Sequence, residues 1–140
     1  MLTINKIFYF EAAHAIADYP GVCRHIHGHR YELHVGVASH QLTNGMIIDL
    51  KLLKKLVNEL VIEKFDHALI LSEAGAEKYK SSILATDQRL IILETEPTVE
   101  FLILEIKNRI EQNIPENIHL VNLKLYETRD SYAEWSSPVS

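Results

Sequence analysis

One cysteine among 140 residues leaves no partner for an internal disulfide, so no covalent staple supports the fold, and the count suits a reducing cytoplasm. Apolar runs are short: none approaches the roughly 18 residues a membrane helix needs. The first ten residues alternate like a strand and lack a long apolar core, so no secretory leader is expected. Basic charge is also scarce. The net charge is −5, and the basic residues are scattered apart from Lys51, Lys54 and Lys55, which argues against a nucleic-acid-binding module. Repeats and low-complexity segments are absent. What remains is ordinary for a globular protein, with 47% apolar and 24% charged residues. The length suits one domain, residues 1–140, with a core of its own.

Period-two alternation predicts a strand over 2–14 and a second over about 27–39. The loop between them carries Asp18, Pro20 and Gly21 as turn formers. Thr43-Asn44-Gly45 signals a turn. Asp49 reads as the N-cap of an amphipathic helix with Leu50, Leu53, Val57, Leu60 and Val61 on one face. Asp66-His67 follow it in a short segment. Residues 72–88 are polar and give no clear period, and 89–93 suit a short strand. Pro97 in a first-turn position opens a second helix with a Val99, Leu102, Ile103, Ile106 and Ile110 stripe. Strands are expected over 118–128 and 132–135. The order predicts an α+β fold, a four-stranded antiparallel sheet with two helices on one face.

The informative feature is a group of histidines. His27 and His29 share one face of their strand, about 7 Å apart at Cα. Tyr31, Leu33, Val35 and Val37 have the same parity. His14 closes the preceding strand in phase with Phe8, Phe10 and Ala12. A lone histidine on an apolar face is usually a satisfied core residue, and spacing alone leaves that reading open. Three imidazoles without a fourth protein ligand are the donor set of a catalytic zinc site, whose open position takes water or substrate. Cys23 lies in the loop between His14 and His27. A nearby cation would lower its pKa and make it reactive. A fourth zinc ligand and a small buried hydrophobe are its other readings. Glu127 has the parity of Val121, Leu123 and Leu125. A carboxylate on that apolar face must be paired, hold a ligand, or sit where the strand meets water.

Phe10-Glu11-Ala12-Ala13-His14, then Cys23 with three residues between it and His27-Gly28-His29, resembles the 6-pyruvoyl-tetrahydropterin synthase family. Within it the bacterial branch, the 6-carboxy-tetrahydropterin synthases of queuosine (7-deazaguanine) biosynthesis, is the nearer match. Gly45 to Leu50, Phe65-Asp66-His67-Ala68-Leu69, Pro97-Thr98-Val99-Glu100 and Tyr126-Glu127-Thr128 agree in order, covering nearly the whole chain. The chain departs from the family at 72–96, a longer connection than expected, and at Glu96, where Asn is common.

The resemblance implies a tunnelling fold whose sheets join into a barrel on oligomerisation, as a homohexamer of two stacked trimers. It implies Zn2+ on His14, His27 and His29, and a proton relay of Cys23, Asp66 and His67. Glu127 becomes the pterin anchor, with Thr98 and Glu100 bordering the pocket. Arg24 and His25 are placed toward the triphosphate, whereas His34, His40 and His119 read as ordinary histidines. The implied activity is that of a zinc-dependent carbon–oxygen and carbon–carbon lyase in the cytoplasm. Its substrate is 7,8-dihydroneopterin triphosphate, and triphosphate and acetaldehyde are lost. Two alternatives stand beside it: the 6-pyruvoyl product, and a non-catalytic zinc or pterin-binding protein on the same fold.

Overall fold

A computed structural model describes residues 1–138. Strands β1 (Ile4–His14) and β2 (His27–Ser39) pair antiparallel from Ile4↔Val37 to His14↔His27. Their alternation buries Phe8, Phe10, Ala12 and His14 on one face, opposite Tyr31, Leu33, Val35 and Val37. The connecting loop holds a 3₁₀ turn at Val22–Arg24. Thr43 and Met46 then exchange backbone hydrogen bonds around Asn44 and Gly45. Both central residues have positive φ (52° and 77°), which is why Asn-Gly occupies the turn.

Asp49 caps α1 (Leu50–Val57), its carboxylate accepting from Lys51 N at 2.9 Å. The helix widens into a π segment at Asn58–Ile62 and ends in α2 (Glu63–Phe65). The buried positions are Leu53, Val57, Val61 and Phe65, four residues apart. In a regular helix of 3.6 residues per turn such a row drifts by about 40° per step. The wider π turn offsets the drift and keeps Phe65 on the core side.

Strand β3 (Ala68–Ser72) pairs parallel with β1, and β4 (Leu90–Leu93) parallel with β3. The sheet therefore has six strands in the order β4-β3-β1-β2-β5-β6 and is mixed. This corrects the expected four-stranded antiparallel sheet. The physical reason lies in β3, whose five residues are all buried and do not alternate, the mark of a strand covered on both faces. The covering on the second face comes from α3 (Glu73–Lys78) and α4 (Lys80–Leu84), within the polar stretch that showed no period. Leu69 and Leu71 pack there with Ala15, Ala76, Tyr79 and Ile83. Ser72 caps α3, accepting from Gly75 N at 3.0 Å. Helices thus lie on both faces, not one.

Helix α5 (Val99–Glu111) buries Leu102, Ile103, Ile106 and Ile110 against the main core. Its N-cap is Thr98, which accepts from Phe101 N at 3.3 Å. Pro97 therefore lies just outside the helix, where the capping hydroxyl displaces it from the first turn. Strand β5 (Ile118–Thr128) pairs with β2 and with β6 (Ser131–Ser136). The β2–β5 register shifts at Gly36/Val37. Across that bulge the buried set changes from Ile118 and Leu120 to Leu123 and Leu125, leaving Val121 half-buried. Among the described residues, no helix is long and apolar enough to cross a membrane.

Candidate metal centre

The hairpin register that aligns His14 with His27 and Ala12 with His29 gathers three imidazoles at one end of the sheet. A ligand atom from each lies within 4.8 Å of the other two. His14 Nδ1 donates to Pro97 O at 2.7 Å, and His27 Nδ1 donates to His25 O at 2.7 Å. Carbonyls can only accept, so these bonds fix the proton on Nδ1 and leave the lone pair on Nε2. The two Nε2 atoms then face each other at 3.1 Å. Two lone pairs at that distance repel unless a proton or a cation lies between them. Nitrogens bound tetrahedrally to zinc at about 2.0–2.1 Å stand about 3.3–3.4 Å apart, so the spacing suits an ion. His29 Nε2 is buried and has no hydrogen-bond partner, an orphan that a cation would satisfy. Three histidines are therefore positioned to hold a metal ion.

Burial lowers the pKa of His14 to about 4, and the neighbouring histidines push the same way against the Pro97 carbonyl. Burial also lowers His29, opposed by the Glu127 carboxylate. Burial thereby favours the neutral form of His14 and His29, the form that binds metal. Tyr31, fully buried, brings its hydroxyl within 3.4 Å of His14 Nδ1. Its pKa is raised by burial and by Glu127, so it stays a neutral phenol. Its shared parity with His27 and His29 was the signal for it.

Glu127 stands beside this cluster, with Oε1 3.8 Å from His29 Nε2 and about a quarter of its side chain exposed. Cys23 is half-buried in the 3₁₀ turn and is not a member of the histidine group. Its loop is tied down by Ile16 N donating to Cys23 O at 2.9 Å, and by the Tyr79 hydroxyl donating to Arg24 O at 3.1 Å. The Thr98 hydroxyl is engaged as the α5 cap, and Glu100 is exposed in the first turn. His25 serves the cluster through its carbonyl. His34 pairs with Glu32 at 2.6 Å, and His40 meets His119 edge-on at 4.8 Å between ring centroids.

Asp66 and His67 do contact each other, with Nδ1 2.9 Å from Oδ2. Glu11 N–H donates to Asp66 Oδ1 at 2.9 Å and, with the smaller effect of His67, holds the Asp66 pKa below its ordinary value. His67 lines an open depression with Glu11, Ala13, Gly28 and Arg30, positions that alternate to the other side of the sheet. Of the three clustered histidines, His29 alone borders that depression.

The family model described as 6-pyruvoyl tetrahydropterin synthase matches residues 3–138. A 6-carboxy-5,6,7,8-tetrahydropterin synthase from Rickettsia conorii is 32% identical over 137 residues, spanning 96% of this chain and 99% of that protein. One of the same name from Haemophilus influenzae is 27% identical over 141 residues, spanning 96% and 99%. The fold matches an uncharacterized protein from Wolinella succinogenes (TM-score 0.77, 21% identity, 96% of this chain and 97% of that one). It also matches the Caenorhabditis elegans 6-pyruvoyl tetrahydropterin synthase (TM-score 0.70, 21% identity, 97% and 95%). With a family model matching nearly end to end and a relative above 30% identity along the whole chain, this α+β protein belongs to the 6-pyruvoyl tetrahydropterin synthase family of pterin enzymes.

Proposed function

We propose that the chain is a cytoplasmic, zinc-dependent 6-carboxy-5,6,7,8-tetrahydropterin synthase that acts on 7,8-dihydroneopterin triphosphate and releases triphosphate and acetaldehyde. The observation that carries the reading is the group of three imidazoles, two oriented by backbone carbonyls and the third with an orphaned nitrogen. His14, His27 and His29 hold the ion. When bound, zinc acts as a Lewis acid on the substrate's side-chain hydroxyls. Glu127 accepts two hydrogen bonds from the pterin's amide and amino edge. Thr98 and Glu100 border the pterin pocket. Cys23 takes and returns protons, with His67, oriented by Asp66, as its partner acid or base. Names carried by the relatives favour the 6-carboxy product, while the family model's description keeps the 6-pyruvoyl product as the second reading.

The relay requires Cys23 and His67 at one site, yet within one chain His67 borders a depression that Cys23, His14 and His27 do not line. We therefore infer a homo-oligomer, a hexamer of stacked trimers, in which a neighbour's Asp66–His67 pair completes each pocket. The sheet edges β4 and β6 are left for pairing between copies. Light scattering should show no monomer at micromolar concentration. Hybrids of His27→Ala and His67→Ala subunits should regain activity well above the residual level of either variant alone.

Mass spectrometry of the zinc-loaded protein with the triphosphate tests the function. Triphosphate with acetaldehyde and a 6-carboxy product supports the proposal. Triphosphate alone with a 6-pyruvoyl product selects the second reading. Binding without release identifies a non-catalytic protein.

A further inference from the structure

We propose that Arg89 is a positioning residue for the Asp66–His67 pair, an inference that rests on the relay role given to that pair above. The pair sits at a break in regular structure. Asp66 leaves α2 in an extended conformation (ψ 128°), and His67 follows at φ 62°, a left-handed backbone that a β-carbon disfavours. Such a corner persists only when its surroundings hold it. Strand β1 supplies one side. Glu11 N–H donates to the Asp66 carboxylate, and Glu11 O accepts from His67 N at 2.6 Å. Arg89 supplies the other. Its Nη1 donates to Glu63 O at 2.5 Å and to Asp66 O at 3.0 Å. These are carbonyls at a helix C-terminus, which lack partners within the helix and favour a cation. The Arg89 backbone is itself anchored, since Leu69 N donates to Arg89 O at 2.9 Å and Gln88 Nε2 to the same oxygen at 2.9 Å.

Two features separate this clamp from a generic surface arginine. No ion pair engages Arg89 among the described residues, so its hydrogen bonds go to the corner itself. Its positive charge also acts on Asp66, in the same direction as the Glu11 and His67 hydrogen bonds. It reaches no substrate-facing group directly and acts through the corner.

Arg89→Ala and Arg89→Lys in the zinc-loaded full chain test the proposal in two independent ways. Hydrogen exchange reads the corner without activity. In Arg89→Ala the amides of His67 and Glu11 should exchange about tenfold faster, with β2 and β5 amides unchanged. Triphosphate release should show kcat down about tenfold at unchanged KM and zinc content, with Arg89→Lys restoring most of it. In a His67→Ala background, adding Arg89→Ala should cost nothing more. Unchanged exchange at His67 and Glu11 overturns the clamp. An equal loss of kcat with and without His67, or general loss of protection across β2 and β5, overturns the positioning role in favour of bulk stability. If the wild type releases no triphosphate, the enzymatic reading fails, and the exchange result alone decides whether Arg89 holds the corner.

Discussion

The two ends of the proposed chemistry are built by opposite means. The histidine cluster arises where structure is most regular. Strand alternation and hairpin register put three imidazoles together, and His14 is only 3% exposed. The Asp66–His67 pair arises where regularity breaks, between a π-widened helix and a parallel strand, and 75% of the His67 side chain is exposed. The first is finished within one chain. The second is held firmly but faces outward, as a group serving a neighbouring site would. Burial and orientation prepare a ligand set for a cation, whereas exposure leaves a proton carrier free to meet what arrives from outside.

The largest expected effect breaks the cluster alone. His27→Ala and His29→Ala should each reduce bound zinc from about one ion per chain to almost none and abolish turnover. His67→Ala should keep the ion, and so should His34→Ala, whose ring pairs with Glu32. Elemental analysis decides. Zinc lost from His67→Ala would erase the distinction between the two ends.

Next in size is Cys23. Since it stands outside the histidine group, Cys23→Ala should retain zinc and substrate affinity while turnover falls by about 10²–10⁴-fold, the range for losing a general acid or base. Loss of zinc would make Cys23 a fourth ligand.

Glu127 sharpens the boundary of the cluster, because it touches His29 at 3.8 Å without belonging to the ligand group. Glu127→Gln turns one acceptor into a donor facing another donor. It should weaken pterin binding by about 2–4 kcal/mol while leaving zinc content and oligomer size unchanged. Calorimetry on both proteins measures this. Equal affinity would return Glu127 to the role of a carboxylate at a strand end.

The same contrast explains what the sequence revealed. His14, His27 and His29 were legible because alternation in β1 and β2 is strong and their parity is unbroken up to the sheet's end. The Asp49 cap and the α5 stripe were legible for the same reason. β3 was not recognised as a strand, since a run buried on both faces has no period of two. Its cover, α3 and α4, consists of two helices of six and five residues, too short to show a period. Val121 was misassigned to the apolar face because a bulge changes the phase within β5. Arg89 left no signal, because its partners are backbone carbonyls, which every residue carries.

The smallest effect concerns acid. Free His14 titrates near 6.5, and in the folded chain near 4. Above pH 6.5 the ring is neutral in both states and contributes no pH dependence. Between 6.5 and 4 the unfolded chain binds a proton that the folded chain resists, so stability falls as pH falls through this window and levels off below it. For metal-free protein the loss from about pH 8 to about pH 5 should be on the order of 2 kcal/mol. Urea melts with chelator at the two pH values measure it, and His14→Gln, which cannot titrate there, should reduce the difference to the part that His29, also lowered by burial, contributes. Asp66 depends on pH in the same direction, but lower, since its pKa lies below the ordinary carboxylate value. The His14 window therefore separates the two ends. Asp66→Asn should leave the loss between pH 8 and 5 in place, and its disappearance in that variant would place the acid-sensitive element at the exposed pair instead of the buried cluster.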